Sequence, residues 1–355
     1  MKLVFVTQVY DVQDAVLGFV PEWVRGLAAH TEHVMVLALE VGDLGDLPSN
    51  VEVRRIGRKG KVGRYLRYRR FLRTALSELG YDALLAHMVP RYASLADGIV
   101  RKNGGRNFLW YTHKGVDARL LRAVSLVDKV FTASDESLRV DTPKKVVTGH
   151  GIHVQHFAGE RTTEQREGPQ LLAVGRLTPS KDAHTTIKAL AELRSRGIPA
   201  TLKWIGAGLV DADVNYAREA LHQCEINKLT HHVDWMGAVP YRKIAQHYLN
   251  ADFLVSSSRT GSVDKVVLEA MASRLPFIAS GEAYAPLVTS LGEVAQDLAF
   301  PEGNHVALAD RVQKLWEQGA ESRASLGQSL CDIVIREHEV DDLMGRLVQA
   351  MEKGS

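Results

Sequence analysis

Residues 253–279 read FLVSSSRTGSVDKVVLEAMASRLPFIA. The apolar run Phe253–Val255 predicts a short strand, and the Ser/Thr/Gly-rich residues after it predict a loop. Val266, Val267, Ala270 and Met271 then fall at helical spacing. Asp264 stands where this helix begins, a position at which a carboxylate caps free N–H groups, and Pro276 follows the helix after Arg274 and Leu275. A loop that leaves the carboxyl end of a strand and feeds a helix N-terminus is where open α/β sheets hold polar ligands, and the unpaired amides there favour anions. A ligand is expected at this loop.

The same alternation extends outward through the chain. Upstream, Leu171–Val174, Thr201–Ile205 and Val233–Trp235 read as strands, with helices from about Asp182, over Asp213–Cys224 and over Tyr241–Leu249. In the first half, strands are expected at Leu3–Thr7, Val34–Leu39, Ala83–Ala86, Phe108–Thr112, Val130–Ala133 and Lys145–Thr148. Helices are expected at Phe19–Ala29, Tyr65–Leu79, Tyr92–Arg101 and Ala118–Val127. Such alternation specifies parallel, doubly wound sheets. The polar, aperiodic stretch 158–170 reads as a linker between a first lobe, 1–157, and a second, 171–335. Helices are expected over Leu308–Trp316 and from about Ser329 to the end, with 336–355 as the last.

A chain of 355 residues with 45% hydrophobic content supports two domains rather than one core. Its two cysteines, Cys224 and Cys331, are far apart and exclude both a disulfide framework and a Cys-based metal site. No apolar stretch is long enough to span a bilayer, and MKLVFVTQVY reads as a first strand rather than a signal peptide, so a cytoplasmic protein is expected. The turn after that strand, Gln8–Leu17, lacks a G-x-G-x-x-G fingerprint, which removes the main support for a dinucleotide-dependent oxidoreductase.

The net charge of +2 conceals an uneven distribution. Arg54, Arg55, Arg58, Lys59, Lys61, Arg64, Arg67, Arg69, Arg70 and Arg73 lie within one stretch that holds no acid, so the remainder is net acidic. From Tyr65 to Leu79 the apolar residues, Leu66 and Leu79 among them, are spaced for one side of a helix, with arginines on the other. Two readings stay open: a core-packed helix with a solvated basic face, or a surface in 54–73 that meets an anionic membrane or a phosphate-bearing acceptor. The second would place the protein peripherally at the inner face of the membrane. Nucleic acid is not expected as a partner, because the rest of the chain is acidic and no nucleic-acid motif is present.

VVLEAMAS at 266–273, preceded by a polar Gly-containing loop and followed by a small apolar strand, resembles the donor-binding segment of retaining glycosyltransferases of the GT-B fold, the large family-4 group. The resemblance implies a GT-B architecture: two Rossmann-like, doubly wound parallel-sheet lobes facing across a cleft, the first on the acceptor side and the second on the nucleotide-sugar side. It implies that Glu269 holds the donor ribose. The family has a second Glu eight positions earlier, near the transferred sugar, and here that position is Gly261. Asp264 is the nearest carboxylate that could replace it, and Lys265 could reach a phosphate or a carboxylated sugar; Asp264 as a helix cap only is the other reading. The backbone of Gly261, Ser262 and Val263 and the helix start at Lys265 and Val266 complete the expected donor contacts.

Further matches support the same family. GRLTPSK, residues 175–181, places Arg176 and Lys181 across a turn that Gly175 tightens, and two cations beside a helix start suit a diphosphate. The family's G-R-x-x-x-x-K pattern implies the same role, neutralising the leaving nucleoside diphosphate. Gly206-Ala207-Gly208 resembles the family's G-x-G turn near the donor, and Gly237 with Val239 its turn that meets the base. His113 in YTHKGVD matches the place of a His that contacts the transferred sugar, and His87 is a second candidate in the first lobe. In GHGIHVQHF, residues 149–157, His153 replaces the usual Asp. His150, His153 and His156 recur every three residues, but a loop between glycines is no helix and no carboxylate is near, so no metal is expected. No cofactor is expected either, the nucleotide-sugar being a substrate.

The function so implied is transfer of a sugar from a nucleotide-sugar to a glycan, lipid-linked or small-molecule acceptor. Two alternatives stand beside it. Gly261 favours a catalytically impaired GT-B protein that binds nucleotide-sugar or glycan, and a nucleotide-sugar epimerase of similar fold would release nucleotide without an acceptor. In GT-B enzymes the last helix returns to the first lobe, which Asp341–Met351 would do here.

Overall fold

The computed structural model describes residues 1–162, 166–206, 211–280 and 284–353. The chain divides into two compact units: Met1–His153 with Pro240–Arg242 and His338–Ser355, and Val154–Val239 with Lys243–Glu337.

The first unit runs β1 (Lys2–Tyr10), α1 (Val20–Ala29), β2 (His33–Val41), β3 (Val51–Arg55), α2 (Lys61–Arg73), β4 (Ala83–His87), α3 (Pro90–Lys102), β5 (Arg106–Trp110), α4 (Ala118–Leu126), β6 (Lys129–Thr132) and β7 (Lys145–Val147). Its seven strands lie in the order β3-β2-β1-β4-β5-β6-β7 and every pairing is parallel. Both faces are covered, and the period of two shows which residue serves which face. Leu3 and Phe5 of β1 join Val34 and Val36 of β2 in one core, while Val4 and Val6 join Met35 and Leu37 in the other.

Three expectations change here. VEVRR, counted only as part of the basic stretch, is the edge strand β3, where Arg54 pairs with Glu52 at 2.6 Å. Alternating charge is tolerated at an edge that faces water on one side. The helix expected at Tyr65–Leu79 begins earlier, at Lys61, and passes into a π-helical turn at Thr74–Glu78. Its buried side is Tyr68, Leu72, Ala75 and Leu76, whereas Leu66 and Leu79 point outward, 59% and 43% exposed. The strand expected at Phe108–Thr112 stops at Trp110, so His113 stands on the loop beyond it.

The second unit runs α5 (Val154–Phe157), β8 (Gln170–Val174), α6 (Ala183–Ser195), β9 (Thr201–Ile205), α7 (Asp211–Ile226), β10 (Val233–Gly237), α8 (Tyr241–Leu249), β11 (Phe253–Ser256), α9 (Lys265–Ala272), β12 (Phe277–Ser280), α10 (Ala285–Val288), β13 (Ala299–Phe300), α11 (His305–Glu317) and α12 (Gly319–His338). Its six strands are parallel, in the order β10-β9-β8-β11-β12-β13. The order reverses between β8 and β11, the place where doubly wound sheets open a crevice at their carboxyl ends. Phe253, Leu254, Phe277 and Ile278 are fully buried, as continuous apolar strands between two helical layers require.

The final helix α13 (Val340–Glu352) belongs to the first unit. Leu343, Met344 and Leu347 bury against Trp23, Val24 and Leu27 of α1. Gly26 permits the close approach, since a Cβ there would lie 2.8 Å from the Cγ of Met344. Main-chain bonds between Ile152 and the His338–Val340 segment hold the start of this return, at 2.8 and 3.0 Å.

Candidate functional site

The carboxyl ends of β10, β9 and β8 are brought together by three glycines. The Gly206 amide donates to the carbonyl of Gly237 at 2.8 Å, and the Gly175 amide donates to the carbonyl of Ile205 at 2.9 Å. Gly206 has φ +129, and a Cβ there would sit 2.1 Å from the carbonyl oxygen of Gly175, so only glycine fits. The indole of Trp204 donates to that same oxygen at 2.9 Å. Gly208, expected in this turn, lies outside the described residues. Val239 is half-buried on the loop after β10.

Across the switch point the loop after β8 meets the loop after β11. Lys181 ends a 3₁₀ turn, Pro179–Lys181, and its aliphatic stem passes 3.4 Å from where a Cβ of Gly175 would be. Its ammonium lies 2.8 Å from the Asp264 carboxylate, with the two side chains 22% and 11% exposed. Asp264 also accepts from the Thr260 hydroxyl at 3.3 Å, and its own amide donates to the Tyr284 hydroxyl at 3.1 Å. Asp264 occupies the N-cap position of α9, yet its side chain makes no capping bond. The reading of Asp264 as a cap is therefore corrected: the nearby ammonium outcompetes neutral amides for the carboxylate.

A second ionic contact fastens the same two loops, and the sequence did not single it out. Asp182, buried and in the left-handed region at φ +45, accepts from Nε and Nη2 of Arg259 at 3.0 and 2.7 Å. The Ser257 hydroxyl donates to the Asp182 carbonyl at 2.7 Å, and the Arg259 amide donates to the Ser180 carbonyl at 2.8 Å. An aspartate just before an apolar-periodic run was the available signal for Asp182, which does cap α6 through the Thr185 amide. Arg176, by contrast, is exposed on the turn after Gly175.

Gly261 has φ +64, a left-handed conformation that costs a side-chain-bearing residue about 1–2 kcal/mol. A Glu at this position, as in the family the sequence resembles, would carry that strain. Ser262, Val263 and Val266 are half-buried around it.

Glu269 lies on the second turn of α9, where it is buried. Its Oε2 accepts the Tyr248 hydroxyl at 2.8 Å. Burial raises its pKa, while Lys265 one turn earlier and the Tyr248 bond pull the other way. Lys265, expected to reach a phosphate, keeps its ammonium out of contact with solvent, and burial pushes its pKa down to about 7 against the pull of Glu269. Tyr248 carried no signal in the sequence, because only folding brings α8 beside α9.

The histidines of the first unit take different places. His113 is exposed, its Nδ1 accepting the Gly115 amide at 2.9 Å. His87 is buried at the end of β4, stacked on Phe5 and edge-on to Trp23, with Nδ1 3.3 Å from the Thr7 hydroxyl. His153 lies 3.6 Å from Glu22, and the His150 amide donates to His338. Among the described residues no three His, Cys, Asp or Glu side chains converge as a metal-binding set.

Residues 168–318 match the family model described as glycosyl transferases group 1. HepE from Anabaena in complex with UDP-glucose is similar over 99% of this chain and 99% of that one, with 17% identity and a TM-score of 0.77. Sucrose-phosphate synthase from Thermosynechococcus elongatus gives a TM-score of 0.77 at 16% identity, covering 99% of this chain and 98% of that one. A glycosyltransferase from Rickettsia africae gives 0.74 at 14% identity, over 99% and 97%. No curated protein sequence matches the chain. The architecture is that of the GT-B glycosyltransferases, two Rossmann-like units spanning the full chain. The crevice formed by Gly175, Lys181, Gly206 and Asp264 lies within the segment that matches glycosyl transferases group 1.

Proposed function

We propose that this protein transfers a sugar from a nucleotide-sugar to an acceptor hydroxyl with retention of configuration, and that Lys181 and Asp264 face the reacting end of the donor. The observation that carries the reading is their 2.8 Å ion pair at the topological switch point of a group 1 domain. When the bond from the anomeric carbon to the diphosphate breaks, negative charge grows on the leaving oxygen; Arg176 and Lys181 neutralise it without a metal ion. Glu269 holds the donor ribose, and the amides at Gly261–Val263 and at the start of α9 meet the diphosphate. Because HepE is solved with UDP-glucose, UDP-sugars are the first donors to test.

The acceptor class is a glycan, a lipid-linked saccharide or a small molecule. The second of these is favoured by the basic surface of α2, where Arg69, Arg70 and Arg73 surround the exposed Leu66. Among the described residues none of these three arginines forms an ion pair, whereas Arg58 pairs with Glu40, and Arg67 turns to the carbonyl of Ile56. Cosedimentation with phosphatidylserine vesicles should therefore fall as salt shortens the Debye length from about 10 Å at 0.1 M to about 3 Å at 1 M. Changing Arg69, Arg70 and Arg73 together to Gln should abolish it. Equal binding to neutral vesicles would return this face to a solvated surface.

Gly261 supports a second reading, a nucleotide-sugar-binding protein without turnover. Calorimetry and a donor screen separate the two. Glu269→Gln should weaken UDP binding several-fold with the fold intact, and purified wild-type protein should release UDP from a UDP-sugar only when acceptor is added. Binding without release selects the binding protein, acceptor-independent release an epimerase, and unchanged affinity in the variant removes Glu269 from the ribose site.

A further inference from the structure

The second unit carries a cavity at the opposite sheet edge from the donor crevice, among the amino ends of β11 and β12. It measures about 710 Å³ and is lined by Arg161, Arg166, Arg323, Asp252 and Trp316, with the exposed Glu321 at its rim. This volume falls within the range of about 300–1,000 Å³ typical of small-molecule sites.

Among the described residues that line it, arginines outnumber carboxylates. Arg161 is half-buried, and its guanidinium donates to three main-chain carbonyls, of Tyr248, Ala251 and Ser273. These are neutral acceptors. Arg323 lies 4.2 Å from the centre of the Trp316 ring and donates to the Trp316 carbonyl at 2.9 Å. Among the described residues, Asp252 is the lining carboxylate that reaches an arginine of the cavity, accepting from Arg166 at 3.1 Å and from the Gln170 amide at 2.8 Å. Burial pushes Arg161 down to about 10, and Arg166, Arg323 and Arg274 add to that push while Asp252 opposes it. Arg323 is lowered by burial as well. Cations gathered away from water without matching anions are costly, and an anion that bridges them relieves the cost.

We propose that this cavity is a second ligand site, separate from the donor crevice, and that it binds a small phosphorylated molecule through Arg161, Arg166 and Arg323. Guanidinium forks match phosphate oxygens in pairs, which favours a phosphate ester over a carboxylate. The cavity volume leaves room for the organic part beside Trp316. The site is also connected to the donor crevice through the sheet. Asp252 precedes β11 and holds the first residue of β8, and these two strands lead to the loops that carry Asp264 and Lys181.

Calorimetry with glucose 6-phosphate, inorganic phosphate and glucose tests the site on the full chain. Glucose 6-phosphate should bind wild type and Lys181→Ala alike, and Arg323→Met at least about fivefold more weakly, as loss of one charged contact predicts. Glucose alone should not bind. Equal affinity for inorganic phosphate would keep the site and assign it to the free ion. If Arg323→Met fails to fold, Arg166→Gln carries the same readout, since Arg166 contributes its charge from the half-buried wall. The proposal is overturned if wild type binds neither phosphate compound, or if binding disappears in Lys181→Ala and survives in the Arg323 and Arg166 variants.

Discussion

Lys181→Ala is expected to lower turnover by about two to three orders of magnitude, about 2.7–4 kcal/mol, the cost of removing one preorganised donor from a developing negative charge. The structure explains why this lysine is preorganised. Its stem is laid along Gly175, 3.4 Å from where a Cβ would be, and its head is held by Asp264 at 2.8 Å. The pair fixes the direction of the ammonium, and the diphosphate competes with Asp264 for it. The melting temperature should fall only in part, because Asp264 loses its cation but keeps the Thr260 hydroxyl bond and some contact with water. The loss should appear mainly in kcat, since the charge it meets grows in the transition state. Arg176, exposed on the same turn, cannot substitute from its own position without paying side-chain entropy. A Lys181→Ala enzyme with wild-type kcat would remove the clamp from the mechanism.

How much of this could be read from residue order depends on how local the cause is. The parallel sheets were legible because β1, β2, β4 and β5 are apolar on both faces, a pattern that demands cover on both sides. β3 was not, because VEVRR is an edge strand whose Glu52 and Arg54 interact with each other, so its composition resembles a loop. Glycines at 175 and 206 were legible as turns, but the 2.1 Å approach that forbids any other residue at 206 comes from folding. The position of Asp264 at a helix start was legible too. Its ion pair was not, because Lys181 arrives from a different strand, and the helix-cap rule considers only neighbours in sequence. The same limit hid the Tyr248 hydroxyl on Glu269 and the Arg259 fork on Asp182. Sequence thus gives the loops their places, and pairing between loops decides what each charged group does.

Asp264→Asn is the experiment on which the reading of Gly261 turns. The family it resembles has a glutamate where this chain has a glycine at φ +64, and under the proposed function a carboxylate near the transferred sugar comes from elsewhere in the loop. Asp264 is in position: it ends that loop and is tied to the cation of the clamp. Asparagine keeps the shape and the bond from Thr260 but carries no charge, and since Asp264 makes no capping bond, α9 has no cap to lose. Stability should stay within about 1 kcal/mol of wild type. Two effects on the reaction should then separate. Lys181, released from its carboxylate, should bind UDP more tightly, because the diphosphate no longer competes with Asp264 for the ammonium. Turnover should fall at least tenfold, about 1.4 kcal/mol, because the positive charge that develops at the sugar loses its facing carboxylate. Tighter UDP binding with falling kcat is therefore the signature of a carboxylate that serves the transition state. Tighter binding with kcat unchanged or raised would make Asp264 a counterion for Lys181 alone, and the sugar contacts would pass to the backbone amides of Gly261, Ser262 and Val263.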